Sequence, residues 1–343
     1  MNDQEYLLRE LEQLESIPSP TGMTRAVTDH LLAELTRLGF SPERTPKGTV
    51  VCCLGGEGHP LVVSAHVDTL GLMVRAVKGN GCLRYTRIGG INESTLDSEN
   101  VTVHTRDGRS YSATVHSTHA SSHVWGDGNS ITRSDETLEI VLDEDVHSAD
   151  DVAKLGIAAG DYVTLDPKFV VTSSGYVKSR FLDDKASSAV LLTLARAISE
   201  GRVTPCRRVT IVFTVYEEIG HGAAAVAKLE PDDMLAVDMG CVGDDLACRE
   251  TQVSICAKDS AGPYDYDFTN ELIARAKKLN IDYAVDVYPH YASDTSAALG
   301  AGMDARFALC GQGVFASHGY ERTHVKGLMG TYALVCDVAG CAL

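Results

Sequence analysis

Apolar positions recur at helical spacing from the start of the chain. Leu7, Leu11 and Leu14 form one stripe, and Val27, Leu31, Leu35 and Leu38 form a second that Gly39 stops. Between them Ile17-Pro18-Ser19-Pro20-Thr21-Gly22 is a helix-breaking cluster. Residues 50–53 and 61–64 are short apolar runs that read as buried strands. Helical spacing then fades after Gly71. Asn80-Gly81 and Asp107-Gly108 each sit between strand-like runs, with Val101 and Val103 alternating before the second and Ala113 and Val115 after it. Both are hairpin signals, so 72–162 reads as a mostly β segment. Beyond it helix and strand alternate. Residues 184–200 predict a helix with Val190, Leu191, Leu194 and Ile198 on one side and Gly201 as its stop. Residues 209–215, 234–237 and 283–288 predict strands, and 268–279 a helix. This alternation predicts an α/β fold, a sheet covered by helices on both faces. Its two parts, 1–71 and 163–343, flank a second, β-rich domain at 72–162.

Composition narrows the function. The 343 residues carry 30 Lys plus Arg against 47 Asp plus Glu, a formal net charge of −17. A chain so acidic repels nucleic acid and anionic membranes, both of which call for basic surface. At 44% hydrophobic content it can bury a core, which excludes a disordered chain. The start, Met1-Asn2-Asp3-Gln4-Glu5, lacks the basic and apolar regions of a secretion signal. The apolar run at 209–215 is far too short to span a membrane. Ten cysteines, Cys341 the last, are scattered without a CxxC pair and read as free thiols. The expected location is the cytoplasm.

Polar residues at the ends of the apolar runs carry the chemistry. Residues 61–65 lead into His66-Val67-Asp68, and Phe181-Leu182 precede Asp183-Asp184-Lys185. Residues 212–216 lead into Glu217-Glu218, and 235–237 into Asp238. Carboxyl ends of strands in open α/β sheets are where ligands bind. Two imidazoles and three carboxylates would make an N/O donor set suited to zinc, manganese or cobalt. A second Glu beside a ligand Glu could serve as general base, and two metals bridged by one carboxylate can acidify a shared water. Each piece alone has a plainer reading. A His-x-Asp triplet is more often structural, and adjacent acids such as Asp183-Asp184 usually form a solvated helix start. Glu217-Glu218 directly after a buried strand is odder, because two acids there need partners or an ion.

The sequence resembles metallopeptidase family forty-two, the TET-type dinuclear aminopeptidases. The resemblance is carried by residues 17–22, by Ser64-Ala65-His66-Val67-Asp68-Thr69-Leu70-Gly71, and by Ile88-Gly89-Gly90. It continues through Leu182-Asp183-Asp184-Lys185, Glu217-Glu218-Ile219-Gly220, Ala236-Val237-Asp238, Ser293-Asp294-Thr295 and Ser317-His318. It implies a dinuclear zinc exopeptidase fold, a mixed sheet flanked by helices, with a small β-barrel inserted. His66, Asp183 and Asp238 would then hold one divalent ion and Asp183, Glu218 and His318 the other. Asp183 would be the bridge, Glu217 the general base, and Asp68 the partner that orients His66. The implied metal is zinc first, with cobalt or manganese as alternatives. The implied substrates are short peptides with a free N-terminus. Relatives build dodecamers from dimers through the inserted domain, so a homo-oligomer is expected. The long interval between His66 and Asp183, compared with that between Asp238 and His318, separates the chain from related carboxypeptidases and deacylases, which carry their extra domain late.

The chain departs from the family pattern at several points. Thr69 stands where a Glu is common, and Lys185-Ala186-Ser187 replaces Arg-x-Gly. His324 competes with His318 as last ligand, and its shorter distance to the closing helix favours His318. His116, His119 and His123 lie in the β segment away from the carboxylates and read as ordinary. So do Cys52-Cys53 as core and His290 as a solvent-facing loop residue, while His221 reads either as a site-wall residue near Glu218 or as a turn histidine. The alternatives to an aminopeptidase are a metal-dependent amidohydrolase or deacylase on small N-acylated substrates, and a non-catalytic scaffold of the same fold.

Overall fold

In a computed structural model that describes residues 1–340, the chain forms two compact units. Among the described residues, one comprises 1–69 and 168–340 and the other 70–167. The larger unit is built on a twelve-stranded mixed sheet. Its centre is four parallel strands, in the order Arg208–Thr214, Pro60–His66, Asp233–Val237 and Arg306–Phe315. Val50–Gly55 joins antiparallel on one side and Val253–Lys258 on the other.

Both faces of these central strands are covered, which is why they read as continuous apolar runs rather than alternating ones. Leu61, Val63, Ile211, Phe213 and Leu235 pack into the core formed with the helices Asp3–Ser16, Arg25–Arg37, Leu182–Ser199 and Val325–Val338. Val62, Val212, Met234, Ala236 and Leu309 face the opposite core with Ala223, Val226, Tyr264 and Ala298. The first helix forms where its leucine stripe predicts, and Asn2 and Glu5 close its N-terminus in a reciprocal capping box. The Leu182–Ser199 helix is buried almost all round, against the first and last helices and the sheet. Cys52 is buried and Cys53 exposed, as successive strand residues on opposite faces require, so only one of the pair is core.

In the smaller unit six antiparallel strands close into a barrel. Both expected hairpins form. Gly71–Val77 returns as Leu83–Ile88, and Asn100–His104 returns as Ser110–Ser117. Gly81 and Gly108 take φ of 87° and 89° in the turns, a backbone region that favours glycine. Leu72, Val74, Tyr85, Val101, Val103, Val115, Ile140 and Val163 are buried. The segment is not purely β, because Ser148 caps a short helix at Ala149–Lys154. No helix among the described residues is long and apolar enough to cross a membrane.

Candidate active site

The carboxyl ends of the four parallel strands bring the acids and imidazoles together. His66 is the last residue of its strand, and Asp238 directly follows Asp233–Val237. Glu217 and Glu218 begin a single 3-10 turn two residues beyond Arg208–Thr214, and His318 follows Arg306–Phe315. Asp183 and Asp184 open the Leu182–Ser199 helix with non-helical dihedrals, and the peptide between them is cis. Tyr216 and His318 sit in the left-handed region, at φ of 75° and 63°. For non-glycine residues that costs about 1–3 kcal/mol each and needs surrounding structure to hold it.

Two groups of potential ligand atoms result, each within 4.8 Å: His66, Asp183 and Asp238, and Asp183, Glu218 and His318. Asp183 belongs to both. His66 Nε2 lies 2.9 Å from Asp183 Oδ1. His318 Nε2 lies 3.6 Å from Asp183 Oδ2 and 3.7 Å from Glu218 Oε2. Glu217 is in neither group, and its Oε2 stands 3.7 Å from His66 Nε2. Asp68 reaches His66 through its main chain, since His66 Nδ1 donates to the Asp68 carbonyl at 2.9 Å. That bond fixes Nδ1 as a donor and aims Nε2 at Asp183, so Nε2 is the nitrogen that could exchange its proton for an ion. The Asp68 carboxylate turns instead to the acidic turn, accepting from the Glu217 and Glu218 amides at 3.1 and 3.4 Å and from the Thr21 hydroxyl at 2.6 Å.

Electrostatics mark this as a crowded anionic site. Burial, reinforced by the Asp183 charge, pushes Glu218 up to about 8 and Asp238 up to about 7. Burial also pushes Glu217 well above the glutamate range against the pull of His66, and Asp238, Asp294 and Glu218 add to the rise. Burial would lower His66, but the hydrogen bond to Asp183 and the Glu217 charge overcome it and hold the imidazole high. Asp183 is held low despite its burial, because His318 and His66 both face it. Beside these groups opens a cavity of about 480 Å³, lined also by Met239, Cys241, Tyr291, Ser293 and Ser296.

Several side chains do not behave as their sequence context suggests. The Asp183-Asp184 pair is not a solvated helix start. Both acids are buried, and Asp184 accepts from the His66 amide at 3.2 Å and from the Ser187 hydroxyl. Glu321 had no role in the sequence reading, yet it is 1% exposed and spans the site. Its two oxygens accept the amides of Asp183 and His318, each at 3.0 Å. The only cue was its place three residues after His318. His324 is occupied elsewhere: Nε2 donates to the Ser174 carbonyl and Nδ1 accepts from the Lys326 amide, capping the last helix. His290 is exposed but also lines the cavity, and His221 stacks on Tyr216 at 5.2 Å. His116, His119 and His123 join no ligand group among the described residues, and His119 pairs with Asp127 and stacks on Trp125.

Known proteins share this arrangement of chain. The Bacillus subtilis (strain 168) protein YhfE is 40% identical over 327 residues, 95% of this chain and 94% of that protein. The glutamyl aminopeptidase of Lactococcus lactis subsp. cremoris is 26% identical, covering 69% of this chain and 68% of its own. Among solved structures, a TET aminopeptidase from a marine-sediment thaumarchaeon superposes with a TM-score of 0.89 at 17% identity, over 98% of this chain and 97% of that one. The Pyrococcus horikoshii TET1 peptidase, which can assemble into a tetrahedron or a large octahedral shell, gives 0.85 at 22% identity, over 97% and 99%. The family model for M42 glutamyl aminopeptidases matches residues 48–334, a stretch that holds every side chain of the two ligand groups. The chain therefore belongs to the M42 glutamyl aminopeptidase family and is a metal-dependent aminopeptidase.

Proposed function

We propose that the protein is a dinuclear aminopeptidase that removes the N-terminal residue of short peptides. His66, Asp183 and Asp238 would hold one divalent ion, and Asp183, Glu218 and His318 the other. The observation that carries this reading is the pair of ligand groups sharing Asp183. The donor set fits such ions. Four carboxylates, of the buried Asp183 and Asp238 and the half-buried Glu217 and Glu218, face only two imidazoles, and desolvation drives three of the acids upward. Two divalent cations would balance that charge. Imidazole and carboxylate donors suit zinc, with cobalt and manganese next.

When bound, the ions would polarise the scissile carbonyl and ease ionisation of the attacking water. Glu217, outside both ligand groups yet beside them, takes the proton from that water and returns it to the leaving amine. Asp68 orients two groups at once, the His66 ring through its carbonyl and the Glu217 turn through its carboxylate. The cavity beside the acids would receive the N-terminal residue.

The test is Glu217→Gln, which keeps the shape and removes the basicity. Hydrolysis of aminoacyl-p-nitroanilides should fall roughly 10²–10⁴-fold with metal content unchanged. Near-wild-type activity would remove Glu217 from the role. Parallel assays on N-acetylated amino acids separate an aminopeptidase from a deacylase.

Assembly and location extend the proposal. The tetrahedral or octahedral shells of the Pyrococcus horikoshii protein support a homo-oligomer here, dimer-built and dodecameric, with the inserted barrel in its contacts. Light scattering that finds only a 36.7 kDa monomer would refute it. All nine described cysteines are free thiols, which suits a reducing cytoplasm, and Cys341 lies outside the described residues.

A further inference from the structure

We propose that Asp294 is a positioning residue for Glu217, fastening the loop that carries it to the wall of the substrate cavity. The proposal rests on the role of Glu217 argued above. The loop in question runs from residue 215 to residue 222, between the Arg208–Thr214 strand and the 3-10 helix Ala223–Leu229. Asp294 is 3% exposed and opens the short helix Asp294–Gly300. Its carboxylate grips both ends of the loop. Oδ2 accepts the Thr214 hydroxyl at 2.5 Å, and Oδ1 accepts the Ala223 amide at 2.8 Å.

One side chain thus closes the base of the loop, while Asp68 holds its middle through the Glu217 and Glu218 amides. The fit around Asp294 is tight. A Cβ on Gly222 would lie 2.3 Å from Asp294 Oδ1 and 3.1 Å from the Glu217 amide nitrogen, so glycine there lets the anchor and the base-bearing turn close up. Ser293, Ser296 and Ala297, from the same turn and helix as Asp294, line the cavity that Glu217 also lines. The anchor and the cavity wall are therefore one element. Left-handed Tyr216 needs such an external hold, since its backbone conformation is disfavoured for a tyrosine.

A general base acts through its position, and a misplacement of about 1 Å can cost about 10²-fold. Asp294→Ala should therefore lower kcat roughly 10–100-fold with KM little changed, measured at saturating metal because the same loop carries the ligand Glu218. Asp294→Asn should restore most of kcat, because its amide oxygen still accepts from Ala223 and its amide nitrogen can donate to the Thr214 hydroxyl. In a Glu217→Gln background, Asp294→Ala should add no further loss, as expected when one residue acts through the other. Full multiplication of the two losses would overturn the proposal. So would an unchanged kcat in Asp294→Ala, or an Asn variant no better than Ala. If Asp294→Ala does not fold, Thr214→Val removes one of the two anchors and should give a smaller fall in kcat, and an unaltered kcat there overturns the idea equally. Failure of the general-base reading would look different, since Glu217→Gln alone would then remain active.

Discussion

Replacing Glu321 by alanine should loosen the shared ligand without touching a metal ligand. Glu321 accepts the amides of Asp183 and His318, each at 3.0 Å, and truncation removes this acceptor from both. An unsatisfied buried donor costs about 1–3 kcal/mol. The two amides do not contribute equally. The His318 side chain is 36% exposed, so water can replace the lost acceptor there, whereas Asp183 is 7% exposed and has little such recourse. The net penalty is then about 1–3 kcal/mol, carried by the Asp183 backbone. Relaxation of that backbone would misplace a carboxylate common to both ligand groups, and roughly 5–150-fold weaker metal binding follows from that energy. Glu321→Gln should fall between the two, because its amide oxygen can accept one N–H while its amide nitrogen opposes the other. Competition against a chromophoric chelator measures the affinities directly, and both variants keep every proposed ligand. If Glu321→Ala bound zinc as tightly as the wild type, the idea that Glu321 sets the geometry of Asp183 would fail.

Other outcomes follow from the same structure. His318→Ala should lower metal occupancy and activity together, whereas His324→Ala should keep its metal and lose about 1 kcal/mol of stability with the N-cap of the last helix, seen as a reduced Tm. The opposite pattern would move the ligand to His324. Asp233 is buried at the start of its strand between Arg207 and Arg306. Burial would raise its carboxyl, but those two guanidinium groups outweigh it and hold the carboxyl below its usual range. The stability it supplies is complete above the unfolded-state value and fades as pH falls through the lower folded value. Asp233→Asn should therefore destabilise the protein near pH 7, and the gap between variant and wild type should close as pH falls through and below the ordinary aspartate range in urea unfolding of chelated samples. A gap between the two curves that does not change with pH would show that the ion pairs are not its source.

Local chemistry along the chain was enough to determine most elements. The leucine stripes near the N-terminus, the two Asn-Gly and Asp-Gly turns and the apolar runs ending in acids depend on periods and turn preferences that a short window contains. Strand ends carrying His66, Glu217, Glu218 and Asp238 were also legible, because an acid at the end of a buried run stands out against its neighbours. The central strand Arg306–Phe315 was not legible. Cys310-Gly311-Gln312-Gly313 reads poorly as a strand, since glycine weakens one. In the fold a Cβ at Gly311 would lie 1.9 Å from the Asp238 carbonyl, and one at Gly313 2.3 Å from the Arg249 carbonyl, so the approach of neighbouring backbones requires glycine there.

Only the tertiary structure decided which polar groups share a charge. His66 and Asp183 are 117 residues apart and meet because the helix that Asp183 opens begins where the His66 strand ends. Asp183 and Asp184 are neighbours in the chain, yet one carboxylate faces the ligand groups and the other holds the His66 backbone. Glu321 looks like an ordinary acid in sequence, and Asp294 stands out only as part of a motif, with no partner to be read from it. They fasten the site because burial leaves each with specific amides or hydroxyls to accept from, and that pairing exists only once the chain has closed around them.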